Sequence, residues 1–405
     1  HHTKRKMSSL FGDVTVHRKS YSKQTHAAHF PMDEQLNLAD DQFSDGLRLR
    51  IASESIKGSF DDAVEALAQT TGRKVAKRQC LNIAQDVAQD FEAFYEQKRF
   101  QEPENTDSLL VLSFDGKGIV LRHEGLRECT QKAALKSTQK LNSRLSAGEK
   151  KNRKRMAQVA SVYTVQPHIR APELVMQADK EEGNVHQLRP RPRNKRVWAS
   201  VERKSIKVIE EAFEEALQRD PEQKRQWVIL VDGHPHQKKQ IKRTMKKFNV
   251  QATIVMDFVH VTEYVWKAAW CFFEKGDTAV EGWVAERLLK ILQGGCAQVA
   301  KGMRSSATKR LLENRESVDK CAQYLLSNKE HLKYGEALQG GFPIGSGVIE
   351  GACRHLINDR LDITGARWGL VGAEAILKLR SLKSSSDFND YWSFHKQKSK
   401  ERLYQ

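Results

Sequence analysis

The spacing of apolar positions changes character several times along the chain. Residues 1 to about 58 hold no hydrophobic period long enough for more than short helices, and they read as an amino-terminal arm. A helical period then sets in at "SFDDAVEALAQTTGRKVAKRQCLNIAQDVAQDFEAF". Ala63, Leu67 and Ala68 share one face of a first helix, "TTG" breaks it, and Val75, Ile83 and Val87 line a second. Two helices joined by a Gly turn predict a helix-turn-helix over 59–104 that presents Lys74, Lys77, Arg78 and Gln79 to DNA. An ordinary helical hairpin with a charged face fits the same pattern.

From residue 108 the pattern becomes that of strands: "SLLVLSFDG", "GIVLR" and, after the basic "KKNRKR", "AQVASVYTV". A second basic run, "RPRPRNKR", leads into a long amphipathic helix with Ile206, Ile209, Phe213 and Leu217 on one face. "QWVILVDG" then reads as a buried strand, "QKKQIKRTMKKF" as a basic helix and "QATIVMDFVH" as another strand. Three strands, helix, strand, helix, strand predict an α/β fold, a mixed sheet flanked by helices, over 105–260. The stretch 261–340 reads as an all-helical insertion, and 341–385 opens Gly-rich and continues as a helix carrying Glu350. The last residues, 386–405, read as a basic tail.

Length and charge narrow the function. The chain has 405 residues, enough for two or three units of domain size, and its 68 Lys and Arg against 51 Asp and Glu give a formal charge of +17. That balance is the footprint of a nucleic-acid binder. No uninterrupted apolar run is long enough to span a bilayer, and no signal peptide is apparent, so a membrane partner is not expected and the location reads as cytoplasmic. The opening "HHTKRK" lacks an initiator Met, which implies a start inside a longer product or behind an expression remnant. Cys80, Cys129, Cys271, Cys296, Cys321 and Cys353 form no Cys-x-x-Cys pair, which argues against a disulfide framework or a zinc ribbon. His26 and His29 have a ligand-like spacing but no second pair beside them, and solvated histidines explain them better.

Candidate chemistry sits at two matching points. "VLSFDGKG" and "VILVDGHP" each end an apolar run in Asp-Gly, which taken singly is a tight-turn signal. If right-handed crossovers place the two strands side by side, Asp115 and Asp232 meet at one edge of one sheet, the clustered oxygens that hard divalent cations need. A third acid from a helix would complete a two-metal site for attack at a phosphodiester. Trp266 and Trp270, at helical spacing among apolar neighbours, read as core residues.

At the level of whole motifs, "SFDGKG", "LVDGHP", "DFVHVTEYVWKAAWCF", "GFPIGSGVIEGACRH", "TGARWGLVGAEAILKLRSL" and "FNDYWSFH" resemble the ISKra-type family of bacterial insertion-sequence transposases. The resemblance runs from about residue 30 to the end. It implies a DDE recombinase with an RNase H-like catalytic domain, and a triad of Asp115, Asp232 and Glu350 holding two Mg²⁺ ions, for which Mn²⁺ can substitute, with Asp115 bridging both. It also implies supporting roles for Asp257 and His260, a D-x-x-H pair, and for Arg354 and His355 one turn beyond Glu350. Asp257 is the reserve for the second acid; a strand-terminal cap competes for Asp257 and His260, and ion pairing for Arg354 and His355. The chain departs from the family in offering only "YSKQTHAAHF" where a Cys pair often precedes "PMDEQLNL", so no structural zinc is transferred.

The resulting expectation is a transposase that binds the terminal inverted repeats of its element and then cleaves and joins DNA strands without a covalent enzyme intermediate. Phosphates would be neutralised by Lys151, Arg153, Lys154 and Arg155, by Arg191, Arg193, Lys195 and Arg196, and by Lys238, Lys239, Lys242 and Arg243. Double-stranded DNA, as element ends and target, is the expected partner, with a homodimer or larger assembly on DNA following from the family. A domesticated, non-cleaving DNA-binding protein and a metal-dependent nuclease without strand transfer are the rival readings.

Overall fold

The computed structural model describes residues 1–23, 26–72, 74–98, 103–136, 153–177, 189–363 and 365–404. The chain begins with two antiparallel hairpins, β1 (His2–Ser9) with β2 (Gly12–Lys19) and β3 (Tyr21–Lys23) with β4 (His26–His29). The amino-terminal arm, expected to hold no more than short helices, is therefore largely β-structure up to residue 29. A helix α1 (Asp45–Ser55) follows, capped by the Ser44 side chain, and packs with α2 (Phe60–Thr71) and α3 (Lys77–Val87). Ser59 and Asp62 form a reciprocal capping box that starts α2, and Gly72 at φ +67° ends it.

The central sheet has five strands: β5 (Leu109–Val120), β6 (Lys154–Val165), β7 (Arg193–Ser200), β8 (Trp227–Val231) and β9 (Thr253–Met256), in the spatial order β7-β6-β5-β8-β9. β5, β6 and β7 pair antiparallel, whereas β8 runs parallel to β5 and β9 parallel to β8. Two strand assignments change from the sequence reading. "SLLVLSFDG" and "GIVLR" are one continuous strand, β5, because Gly116 and Gly118 pair with Gln158 and Met156 and make no turn. The third antiparallel strand is β7, whose first half lies in the stretch read as a basic run.

A helix α4 (Ser205–Arg219) covers one face, where Phe114 of β5 stacks on Phe213 at 6.5 Å. Successive strand residues point to opposite faces, so Asp115 projects from the other one. α5 (Pro235–Phe248) connects β8 to β9 and packs on α4. Between α6 (Phe258–Ala269) and residue 339 the regular elements are helices, including α7 (Ala279–Leu292), α8 (Cys296–Lys309) and α9 (Glu316–Ser327). Trp266 is half-buried in α6 and Trp270, 41% exposed, stands at its end, so the expected core role holds for neither ring in full.

The chain then returns to the Asp115 face through α10 (Gly347–Cys353), which lies on β5, β6 and β7, and α11 (Leu370–Ser384), which packs on β7 and α3. Gly341 at φ +71° makes this return possible: a Cβ there would sit 2.6 Å from the His168 amide nitrogen, whose N–H donates to Gly341 O. The stretch 386–405, expected as a basic tail, is instead the helix α12 (Phe388–Tyr404), pinned by Tyr391, Trp392 and a buried His395–Asp90 contact of 2.7 Å. No helix among the described residues is long and apolar enough to cross a membrane.

Candidate active site

Strand register brings three carboxylates into one row. Leu110 is level with Trp227 and Ser113 with Leu230 in the β5–β8 pair, and Val231 is level with Met256 in the β8–β9 pair. Carrying both registers one or two residues onward places Asp115, Asp232 and Asp257 side by side, where the parallel pairing stops. Asp115 itself lies inside β5, opposite Val159 of β6, and not at a strand end as expected. Neither Asp-Gly makes a hairpin: the first is mid-strand and the second is a strand-to-helix junction.

Each acid is held differently. The half-buried Asp115 accepts from its neighbour's amide, Gly116 N, at 2.6 Å through Oδ1 and from the Cys353 thiol at 3.1 Å through Oδ2. Burial first, and the Asp115 carboxylate second, push the Cys353 pKa up, so the sulfur keeps its proton and donates. Asp232 accepts from His234 N at 2.9 Å through Oδ1, and its Oδ2 has no protein partner among the described residues. Gly233, at φ +98°, fits where a Cβ would fall 2.4 Å from Met256 Cε and 3.0 Å from Tyr324 Cε2. Tyr324 of α9 donates to Asp232 O at 3.0 Å, tying the helical insertion to this corner; burial, Tyr264, Asp232 and Asp257 push its hydroxyl pKa up, so it remains a donor.

Asp257 is of another kind. It is 3% exposed and caps α6, with Oδ1 accepting from Val259 N (3.1 Å) and Ser346 N (3.2 Å) and Oδ2 from the Ser346 hydroxyl (2.7 Å). That hydroxyl also lies 3.0 Å from Glu350 Oε1, and with one proton it serves one carboxylate at a time. Glu350 is exposed, and its Oε2 has no protein partner among the described residues. Ser346 at i−4 and Cys353 at i+3 from Glu350 thus connect the helix acid to Asp257 and Asp115. Neither was singled out from sequence, although their helical spacing from Glu350 is a usable signal.

The supporting residues scatter. His260 meets Tyr264 (5.6 Å) and Tyr324 (6.2 Å) edge-on beside the Asp232 corner. Arg354 and His355 begin a π-helical turn, Arg354–Asn358, and reach Asp359 at 3.7 and 3.1 Å rather than the acids; both side chains are otherwise largely exposed. Among the described residues no ion pair reaches Asp115, Asp232, Asp257 or Glu350.

The donor set suits a hard divalent cation: carboxylate oxygens from separate elements, two of them unpartnered. The three acids are nevertheless not drawn together, since no group of three or more His, Cys, Asp or Glu among the described residues forms a metal site. Asp115 leans on Cys353 and Glu350 on Ser346 instead.

Of the basic residues, Lys74, Lys77, Arg78, Arg191, Arg193, Lys195, Lys239, Lys242 and Arg243 are exposed, Lys77 pairing with Asp61 and Lys242 with Glu330. Arg153 and Lys154 are half-buried, with Lys154 3.9 Å from Asp362, and Lys238 donates to Asn328. Gln79 spends its Oε1 on Ala76 N at 3.3 Å. Two others are consumed by the fold. Arg155 donates to the carbonyls of Val201, Gly125 and Glu202. Arg196, 3% exposed, pairs with Glu211 and Glu215 and stacks 3.6 Å from the Tyr95 ring. Lys151 and the His26 side chain lie outside the described residues, and His29 is exposed.

No protein-family model and no curated protein matches the chain. Among solved structures it is similar to the Drosophila P element transposase strand transfer complex, at 10% identity and a TM-score of 0.29, over 86% of this chain and 79% of that one. A likeness of that size assigns neither a fold nor a function.

Proposed function

We propose that the chain is a DDE-type DNA transposase whose five-stranded sheet is the RNase H-like catalytic unit. The observation that carries this reading is the row of Asp115, Asp232 and Asp257, with Glu350 linked to it through Ser346, and no ion pair reaches any of the four among the described residues of a chain of formal charge +17. No described cation pairs with these carboxylates, although a strongly basic protein has ample Lys and Arg to neutralise them. Leaving them unpaired suits a site that takes its positive charge from bound ions.

Asp115, Asp232 and Glu350 would hold the Mg²⁺, or Mn²⁺ in its place, because they retain exposed or half-buried oxygens. Divalent ions at such a site supply activation of the attacking water or DNA 3′-hydroxyl and stabilisation of the leaving oxygen. Asp257 is already saturated by three protein hydrogen bonds, so its part is to fix the loop that carries Ser346 and the start of Glu350's helix. The Cys353 thiol orients Asp115, and Tyr324 fixes the backbone at Asp232. Exposed Lys74 and Arg78 at the start of α3, with Arg191, Arg193 and Lys195 around the beginning of β7, offer charges for DNA phosphates. Work on two DNA ends calls for a dimer or larger assembly on DNA.

The test is a labelled duplex bearing the element's terminal repeat, incubated in Mg²⁺ or Mn²⁺ and resolved for both nicked and joined products. Cleavage and joining by the parent chain, both lost in Glu350→Gln with DNA binding retained, are the expected result. Nicked ends without joined strands would reduce the activity to hydrolysis, and binding without any product would overturn the enzymatic reading.

A further inference from the structure

The β1–β2 hairpin is a ribbon with two unlike faces. Residues level with each other across an antiparallel pair share a face, and the register pairs His2 with Lys19, Lys4 with His17 and Lys6 with Thr15. All six of these residues are exposed. At the turn end the same face carries Asp13, whose Oδ1 accepts from Ser8 Oγ at 3.0 Å. Three lysines and two histidines therefore face solvent with one acid, and none of the lysines has a salt bridge to a described residue.

The opposite face is anchored. Arg5 donates to Asp33 at 2.9 Å and to Asp41 O at 2.6 Å, Arg18 pairs with the same buried Asp33 and lies 3.8 Å from the centre of the Phe30 ring, and Met7 is 3% exposed. Backbone bonds from Ser8 N to Gln42 O and from Ser44 N to Ser8 O continue that attachment towards α1. The ribbon is thus a fixed projection. Its tip carries Phe11, 99% exposed.

Its position relative to α3 gives the basic face a purpose. A groove of about 310 Å³ has Lys6, Met7 and Ser8 of the ribbon on one side and Lys74, Val75 and Gln79, at the start of α3, on the other. The ribbon's lysine face and the exposed residues at the start of α3 therefore border one surface. A two-stranded ribbon fits the major groove of B-form DNA, and eight-residue strands span roughly 26 Å of it.

We infer that the β1–β2 ribbon is a second DNA-binding element, which lays Lys4, Lys6 and Lys19 along the major groove of double-stranded DNA beside α3, with Phe11 at the leading tip. The inference rests on the reading that this chain works on DNA, and it adds a surface separate from the carboxylate edge. The three lysines supply phosphate contacts, and Phe11 supplies an apolar contact that needs no counter-ion release.

The experiment uses the whole chain and a B-form duplex, with affinity measured from 50 to 200 mM salt for the parent, for Lys4→Ala/Lys6→Ala/Lys19→Ala, and for Phe11→Ala. Each lysine lost should lower the slope of log affinity against log salt by about 0.9, so over this range the parent loses about 40-fold more affinity than the triple variant. Phe11→Ala should weaken binding at every salt concentration with its slope unchanged. The melting temperatures should match the parent's, because the substituted side chains are exposed. On A-form double-stranded RNA, whose narrow major groove excludes the ribbon, parent and triple variant should bind alike.

Equal slopes for parent and triple variant on DNA, or an equal loss on RNA, would overturn the ribbon's role while leaving the transposase reading intact. A parent chain that binds no duplex DNA at all would overturn both.

Discussion

The two ends of the central sheet treat charge in opposite ways. Near the Leu109 end of β5, Arg225 is 8% exposed and donates to Ser108 O (2.7 Å), Leu109 O (3.1 Å), Thr164 Oγ1 (2.8 Å) and Glu104 (2.9 Å). On β7, with β6 between it and β5, Arg196 is closed in by Glu211, Glu215 and two aromatic rings. At the Asp115 end Asp115, Asp232 and Asp257 stand in one row, Glu350 is linked to it through Ser346, and no described cation pairs with any of them. A buried charge with every partner supplied is explained by the fold it belongs to. An acid row with free oxygens is explained by something the protein has yet to bind. The two ends differ in the completeness of their hydrogen bonding.

The largest effect expected is at the unpaired end. Asp115→Asn and Glu350→Gln should each lower DNA cleavage and joining by about 10³-fold or more, on the scale seen when a group that stabilises transition-state charge is removed, while chemical denaturation shows stability close to the parent's. A comparable loss of stability would place these acids with the structural set.

At the paired end the response should be reversed. Arg196→Met removes the buried cation that Glu211 and Glu215 share and leaves them only Arg203 and Arg219, and the cost should be about 1–3 kcal/mol by denaturant unfolding. A change below about 1 kcal/mol would mean that this network is not what holds β7 to α4.

Asp257 lies between the two kinds. Asp257→Ala removes the cap of α6 and leaves the Ser346 amide unpaired, so unfolding should become easier by about 1–3 kcal/mol. Ser346→Ala should cost less stability but lower turnover by about 10-fold, because Glu350 loses its tether, a supporting contact of the kind whose removal weakens metal sites. Unchanged turnover would remove Ser346 from the site.

The paired end also predicts a pH response. Burial pushes the Glu215 carboxyl up, but Arg196 and Arg219 outweigh it and hold its pKa at about 2, below the ordinary 4.5. A depressed folded-state pKa contributes stability that is full above the unfolded value and is lost as pH falls through the folded one. The Glu215 contribution should therefore be flat above about pH 5 and fade between 4.5 and about 2, and an acid titration of the unfolding free energy in the parent and in Glu215→Gln measures it.

The sequence carried the helices α2 and α3, because Ala63, Leu67, Ile83 and Val87 repeat at helical spacing and each is buried. It also carried Asp115 and Asp232, whose shared Asp-Gly ending follows the two apolar runs that pair in parallel. It hid β7, since the charged half of "RNKRVWAS" is exposed while Arg196 is neutralised by Glu211 and Glu215 on a later helix. It hid the β1–β2 ribbon for a related reason: the inward face carries Arg5 and Arg18, and their partner Asp33 lies beyond both strands, so no apolar alternation appears. The Asp257–Ser346–Glu350 link was out of reach because 89 residues separate Asp257 from Ser346.

The contrast between saturated and unsaturated acids is tested most directly by one pair of isosteric variants, Asp232→Asn and Asp257→Asn, assayed for Mg²⁺-dependent cleavage of the same labelled element end. Asparagine can keep the two amide bonds at Oδ1 and reverse the Ser346 contact, its Nδ2 donating to Oγ, but it lacks a carboxylate's grip on a cation. The account predicts that Asp257→Asn keeps cleavage within about 10-fold of the parent, and that Asp232→Asn loses it. Cleavage that survives Asp232→Asn and disappears in Asp257→Asn would contradict the account and move the second acid to Asp257.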